Sequence, residues 1–155
     1  LVNEQLKDSV VSIEEFRGDI SLILKKENFL EVCKYLRDNN ELQFLSCRDV
    51  TAIDWAKRKD RFTVVYNLYS YKLNTHLRLK LNLDGEYPQT ESVTSIWKSA
   101  NWYERETYDM YGIKFLNHPD LRRMYMPEEF EYHPLRKEFP VLGIPGSIPL
   151  PEKGV

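Results

Sequence analysis

The distribution of proline limits this chain more than any other sequence feature. Seven of its eight prolines (Pro119, Pro127, Pro134, Pro140, Pro145, Pro149 and Pro151) fall in the last 37 residues, and only Pro88 lies earlier. Each proline removes a backbone donor and pushes its predecessor toward extended geometry. Regular structure is therefore confined to residues 1 to about 111. The expected organisation is a body over residues 1–116 and an extended proline-rich C-terminal arm over residues 117–155. Charge is nearly balanced, with 22 basic and 24 acidic residues, a net charge of −2 and a pI near 6.0. That balance argues against a general nucleic-acid binder. No apolar run approaches the roughly 20 residues of a membrane-spanning helix. No basic segment leading into an apolar core marks the first residues as a signal peptide. Two cysteines, Cys33 and Cys47, make neither a disulfide framework nor a CxxC metal site, which fits a reducing compartment.

Periodicity places the body's elements. Ile20, Leu22 and Leu24 alternate as a strand after Gly18-Asp19, and Val10–Phe16 pairs with it as an extra strand. Asn28 with Glu31 reads as a capping-box start for a helix carrying Phe29, Val32, Cys33 and Leu36, ending near Asn39-Asn40. Leu42–Cys47 reads as a short strand. Phe62, Val64, Tyr66 and Leu68 form one face of a strand, and Leu77, Leu79, Leu81 and Leu83 one face of the next, joined by a hairpin around Asn74. Thr90 is expected to cap a second helix from Glu91 to Tyr111, stopped by Gly112. Together these give an α+β fold: a two-layer sandwich, a mostly antiparallel sheet with two helices on one face.

Most candidate chemistry fails. His76, His118 and His133 are scattered and form no zinc spacing. His76 reads as solvated; His118 and His133 each precede proline. Cys33 and Cys47 read as buried small hydrophobes. Gly143 to Gly146 imitates a GxxG clamp but lacks a following helix. An RNA-binding ferredoxin-like module suits the element order and the strand tyrosines Tyr66, Tyr69 and Tyr71, yet the RNP1 pattern is absent. On a helical wheel, Glu104 falls inside the apolar stripe of the second helix and Glu106 on its edge. Arg105, Asp109 and Trp102 fall on the far side. A carboxylate in an apolar stripe requires partners. The nearest donors in sequence are Arg122-Arg123 and Arg136-Lys137, so a structural ion pair is expected. The alternatives are a general acid or base with a raised pKa, lacking a second catalytic group, and a hinge that fastens the arm to the body for a partner.

Ala100-Asn-Trp-Tyr-Glu-Arg-Glu106, Asp109-Met-Tyr-Gly112 and Asn117-His-Pro-Asp-Leu-Arg-Arg123 resemble the signature of the C-type subunit of respiratory complex I, also called the thirty-kilodalton subunit of NADH dehydrogenase. The signature maps onto Glu104, Arg105, Glu106, Asp109, Met110, Tyr111, His118, Arg122, Met124 and Tyr125. Cys47–Trp55, Arg61–Leu68 and His133–Pro140 also resemble family segments, so the likeness spans about residues 29 to 140. It implies a cofactor-free subunit of the peripheral arm of NADH:quinone oxidoreductase, with FMN, iron–sulfur clusters and quinone in neighbouring subunits. It implies a hetero-oligomer in which this chain packs against the D-type subunit, which helps form the quinone site, and against other peripheral-arm subunits. Such a chain binds no nucleic acid and has no transmembrane segment. Its place is the cytoplasmic side of a bacterial inner membrane, or the matrix side in a mitochondrion. No catalytic residues of its own are implied. Trp102, Glu104, Arg105, Glu106, Asp109, His118, Arg122, Arg123, His133 and Arg136 become structural or subunit-contact residues. Ferredoxin- or deazaflavin-dependent dehydrogenases and membrane-bound hydrogenases carry homologous subunits with the same signature.

Overall fold

The structure, a computed structural model, describes residues 6–144 and residue 146. Five strands, β1 (Val10–Phe16), β2 (Asp19–Leu24), β3 (Ser46–Asp54), β4 (Phe62–Ser70) and β5 (Thr75–Leu83), form one sheet in the order β1-β2-β5-β4-β3. Neighbours pair antiparallel except β2 and β5, which run parallel because helix α1 (Phe29–Asp38) carries the chain over the sheet between β2 and β3. The period-2 pattern decides which face is dry. Phe62, Val64, Tyr66 and Leu68 of β4 pair with Leu83, Leu81, Leu79 and Leu77 of β5, and all eight are buried. The stripe of α1, Phe29, Val32, Cys33 and Leu36, packs on this layer, with the Phe29 and Tyr66 rings 4.9 Å apart. Helix α2 (Ala100–Tyr111) joins the same core through Ala100 and hydrogen-bonds β3 from Thr107. The result is the α+β sandwich that alternation and helical spacing imply.

Three elements differ from expectation. The strand expected at Leu42–Cys47 begins at Ser46. Leu42 and Phe44 are buried, but Gln43 has φ 45° and Phe44 N–H donates to the Leu36 carbonyl, so the segment closes α1. A bulge between Cys47 and Asp49 shifts the register of β3 and hides its alternation. Asn28 precedes α1 without a side-chain cap; its amide donates to Ser9 Oγ at 3.0 Å.

The largest difference concerns α2, which starts at Ala100 and not at Glu91. Thr90 does not cap it. Gln89–Glu91 forms β6, paired in parallel with β7 (Lys114–Leu116) in a separate two-stranded sheet. Between β6 and α2, Ile96 and Trp97 N–H donate to the Val93 carbonyl and Ala100 N–H to the Trp97 carbonyl. These successive turns keep a spacing of three and four, so Val93, Ile96, Trp97 and Ala100 read as one helical stripe; all four are buried, the first three from irregular backbone. After β7, where the prolines concentrate, the described residues contain neither helix nor strand. Expectations for residues 147–155 lie outside the described residues.

The core places the strongest demand on β4 and β5. Leu79→Ala should destabilise the chain by about 2–5 kcal/mol through lost transfer energy and a cavity. The exposed Val11→Ala should stay within about 0.5 kcal/mol of the parent. Urea unfolding followed by far-UV circular dichroism checks both.

Candidate functional site

The residues of the recognised pattern gather along α2 and the segment that follows β7. Asp109 is the centre. Its carboxylate is fully buried, and Oδ2 accepts the backbone N–H groups of Met124, Tyr125 and Met126 at 2.9, 2.7 and 3.0 Å. Oδ1 accepts Arg123 Nη1 at 2.7 Å. Burial alone would raise this carboxyl, but three N–H donors and Arg123 outweigh it and hold the group below its usual value. The far side of α2 is therefore covered by residues 122–126. Arg105 is buried with it: Nε and Nη2 donate to the carbonyls of Arg122 and Arg123 at 3.1 and 3.2 Å.

The last turn of α2 meets the same segment. A helix leaves its final carbonyls without partners. Here His133 Nδ1 donates to the Asp109 carbonyl at 2.9 Å, Leu135 N–H to the Met110 carbonyl at 3.1 Å and Arg136 Nε to the Tyr111 carbonyl at 2.6 Å. Gly112 closes the helix in the left-handed region at φ 73°, its N–H on the Tyr108 carbonyl. A Cβ there would lie 2.5 Å from His133 Nε2 and Arg136 Nη2, so glycine also permits this close approach. Further along, Lys137 N–H donates to Asp54 Oδ2 at 2.8 Å, and Asp54 is paired with Arg61, which also reaches Glu138. Arg61 and the N–H groups of Lys137 and Ala56 draw the Asp54 carboxyl far below its ordinary range. Residues 122–138 are thus fastened at three points: the Asp109 carboxylate, the end of α2 and the end of β3.

Glu104 is buried in the stripe, as the wheel implies, but the expected ion pair with an arginine does not form. Its Oε1 accepts Val93 N–H at 2.7 Å and its Oε2 accepts Ser92 Oγ at 2.6 Å. The tail arginines go elsewhere: Arg123 to Asp109, Arg136 to the Tyr111 carbonyl, and Arg122 to Asp120 at the surface. His118 Nε2 lies 3.9 Å from Glu104 Oε2, yet the ring is neutral. Its Nδ1 accepts Asp120 N–H, so the proton sits on Nε2 and is donated to the Asn101 carbonyl at 3.1 Å. Burial lowers the pKa of His118 in the same sense. With no cation beside it, Glu104 is pushed by burial up to about 7, its two donors offsetting only part of the effect.

Glu106 is half-buried and makes no hydrogen bond or ion pair among the described residues. Trp102 is exposed, with the Arg105 guanidinium 4.8 Å from its ring centroid. Cys33 and Cys47 are free and buried; burial pushes the Cys47 thiol up to about 12 and the Cys33 thiol higher than its usual value, so both stay protonated at neutral pH. Among the described residues no three His, Cys, Asp or Glu side chains gather as metal ligands. No described helix is long and apolar enough to cross a membrane. Sequence reasoning missed Ser92, because it was assigned to the helix, and Asp54, because the apolar Ile53 beside it obscures the inward phase that it shares with Val50 and Ala52.

Residues 22–144 match the family described as "Respiratory-chain NADH dehydrogenase, 30 Kd subunit". A relative from Geobacter sulfurreducens, named as the C-type subunit of NADH-quinone oxidoreductase, is 41% identical over 92% of this chain and 87% of its own length. Another of the same name, from Mesorhizobium japonicum, is 42% identical over 92% of this chain and 70% of its own. Among solved structures, a trypsin-resistant fragment of Nqo5 is 30% identical with a TM-score of 0.66, covering 76% of this chain and 92% of the fragment. A chain of an archaeal membrane-bound sulfane sulfur reductase has the same fold, with a TM-score of 0.73 at 23% identity over 84% of this chain and 78% of its own. The chain belongs to the thirty-kilodalton subunit family of respiratory-chain NADH dehydrogenase.

Asp109 and Glu104 should respond oppositely to pH. Asp109 is held low in the folded state, so its contribution is present above the unfolded carboxyl pKa and is lost as pH falls through the folded one. Glu104 is raised from 4.5 to about 7, so stability is higher with the group protonated and falls by about 3 kcal/mol as pH rises from 4.5 through 7. Glu104→Gln should flatten that decline. Asp109→Ala should cost about 3–5 kcal/mol at pH 7, because Arg123 is left uncompensated. Urea midpoints at pH 3, pH 5 and pH 8 for the parent and both variants check these signs, the lowest pH reporting Asp109 and the upper pair Glu104.

Proposed function

We propose that this chain is a cofactor-free structural subunit of the peripheral arm of an NADH:quinone oxidoreductase. In this role it packs against the quinone-site subunit and supports electron transfer from NADH to quinone coupled to proton translocation. FMN, the iron–sulfur clusters and the quinone site then belong to neighbouring subunits, and the whole lies on the cytoplasmic face of a bacterial inner membrane or the matrix face of a mitochondrial one. The observation that carries this reading is where the family-type residues go. Arg105 and Asp109 of α2 bind backbone groups of one structureless segment, and Arg123, His133 and Arg136 of that segment bind groups at the end of α2. They hold chain, not substrate.

What the clasp holds is a surface. Trp102, Tyr125, Tyr132 and Leu135 are exposed, and each adjoins it directly. Arg105 lies on Trp102, Tyr125 N–H is bound by Asp109, the Tyr132 carbonyl accepts Arg123, and Leu135 N–H caps Met110. Aromatic residues fixed on an otherwise polar rim suit a protein interface. Val141 and Leu142 are almost wholly exposed, at 103% and 99%. Apolar residues that the chain itself leaves bare suit a strap laid along a partner and stiffened by proline. Relatives named for NADH and quinone favour this over the ferredoxin- or deazaflavin-dependent and hydrogenase complexes.

The isolated chain should be colourless, contain no stoichiometric iron and bind no NADH; visible absorbance and metal analysis check this. Deleting residues 140–155 should leave its thermal midpoint unchanged while sharply reducing co-purification of the quinone-site subunit from membranes. Unchanged co-purification would refute the strap, and stoichiometric iron would refute the cofactor-free role.

A further inference from the structure

The sheet has two edges, and they are treated differently. At β3 the carbonyls of Cys47 and Val50 accept the hydroxyls of Ser99 and Thr107 at 2.8 and 2.9 Å, so α2 and its approach cover that edge. β1 forms the other. No backbone N–H or C=O of residues 10–16 bonds to anything but β2 among the described residues. In an antiparallel edge strand, alternate residues then point free donors and acceptors outward. Three large apolar side chains on this strand are exposed: Val11 at 61%, Ile13 at 57% and Phe16 at 69%.

Within β1 charge has one sign, and Arg17 after it lies with its guanidinium 5.1 Å from the Phe16 ring centroid. Residues 10–16 hold two carboxylates, Glu14 and Glu15, and no cation. Glu14 is bound by Lys80 at 2.6 Å from the next strand but one, whereas Glu15 has no ion pair among the described residues. Ile13 and Glu15 share the face of β1 that continues the core layer, since their β2 partners are Leu22 and Ile20. A free edge that is apolar at one position and anionic two residues on matches a strand with the complementary alternation. A second copy of this chain fits poorly, because its residues 10–16 offer Glu15 no cation and its Arg17 stacks on its own Phe16.

We propose that the free edge of β1 receives an extended segment of a neighbouring subunit, which adds a sixth strand to the sheet. That segment places an aliphatic side chain beside Ile13 and, two residues away on the same face, a Lys or Arg beside Glu15. This rests on the chain acting within a multi-subunit complex, but concerns a different surface from the clasp of α2.

Hydrogen exchange read by mass spectrometry on the isolated chain and on the purified complex tests the inference. The peptide covering Val10–Phe16 should exchange at least about tenfold more slowly in the complex. Glu15→Lys should fold with an unchanged thermal midpoint, since Glu15 is exposed, and should restore fast exchange at β1 when complexes are purified with it. If the chain recovers partner subunits but β1 exchanges equally in both states, the edge proposal falls and the complex reading stands. If it recovers none, both fall. Protection that appears in the isolated chain with rising concentration would assign the edge to a second copy and overturn the proposal.

Discussion

One buried carboxylate, that of Asp109, governs how the second half of this chain is organised. Residues 117–144 have no helix or strand in which to satisfy their backbone groups. Asp109 supplies acceptors for three consecutive N–H groups and one guanidinium from a single position on α2. In return the same segment supplies His133, Leu135 and Arg136 to the last carbonyls of the helix. The needs are complementary. The segment has N–H groups without acceptors and the helix end has carbonyls without donors, so each must meet the other at particular residues. Gly112 lets them approach, because only its missing Cβ leaves room for the His133 ring and the Arg136 head.

Glu104 and Asp109 show that burial does not decide the state of a carboxyl by itself. Both are fully buried on α2. Asp109 meets four donors, one of them a cation, and is held low; Glu104 meets two neutral donors and is pushed up to about 7. The difference lies in what the chain brings to each side of the helix. Ser92 and Val93 come from the irregular run before α2, whereas Arg123 and residues 124–126 come from the segment after β7. One helix thereby joins the sheet core on one side to a docked segment on the other, and exposes Trp102 between them.

Much of the fold was legible because leucine alternates without interruption in β5, because Phe62, Val64, Tyr66 and Leu68 recur at every second position of β4, and because Phe29, Val32, Cys33 and Leu36 keep helical spacing. Legibility ended where spacing has two causes. Val93, Ile96 and Trp97 repeat as a helix would, but serial turns produce the same intervals, so the start of α2 was placed nine residues too early (Glu91 against Ala100). In β3 the small Ala52 and the outward-facing Ile53 blur the period that would have revealed Asp54. The burial of Glu104 was readable from the wheel; its partners were not, since Ser92 contacts it only once the strand β6 has turned the chain. The docking of Arg123 on the helix was readable as a search for charge. That Asp109 and not Glu104 would receive it depends on which side of α2 the segment runs, and no local pattern encodes that.

The clasp makes a direct demand on three amides. Met124, Tyr125 and Met126 lie in a segment without regular structure, where exchange with solvent is ordinarily fast. Native-state hydrogen exchange by NMR on the isolated chain measures them individually. Protection of all three, with an opening free energy equal to that of the last turn of α2, is the expected result. Fast exchange at these amides while α2 stays protected would show that Asp109 does not hold the segment, and would contradict the central claim.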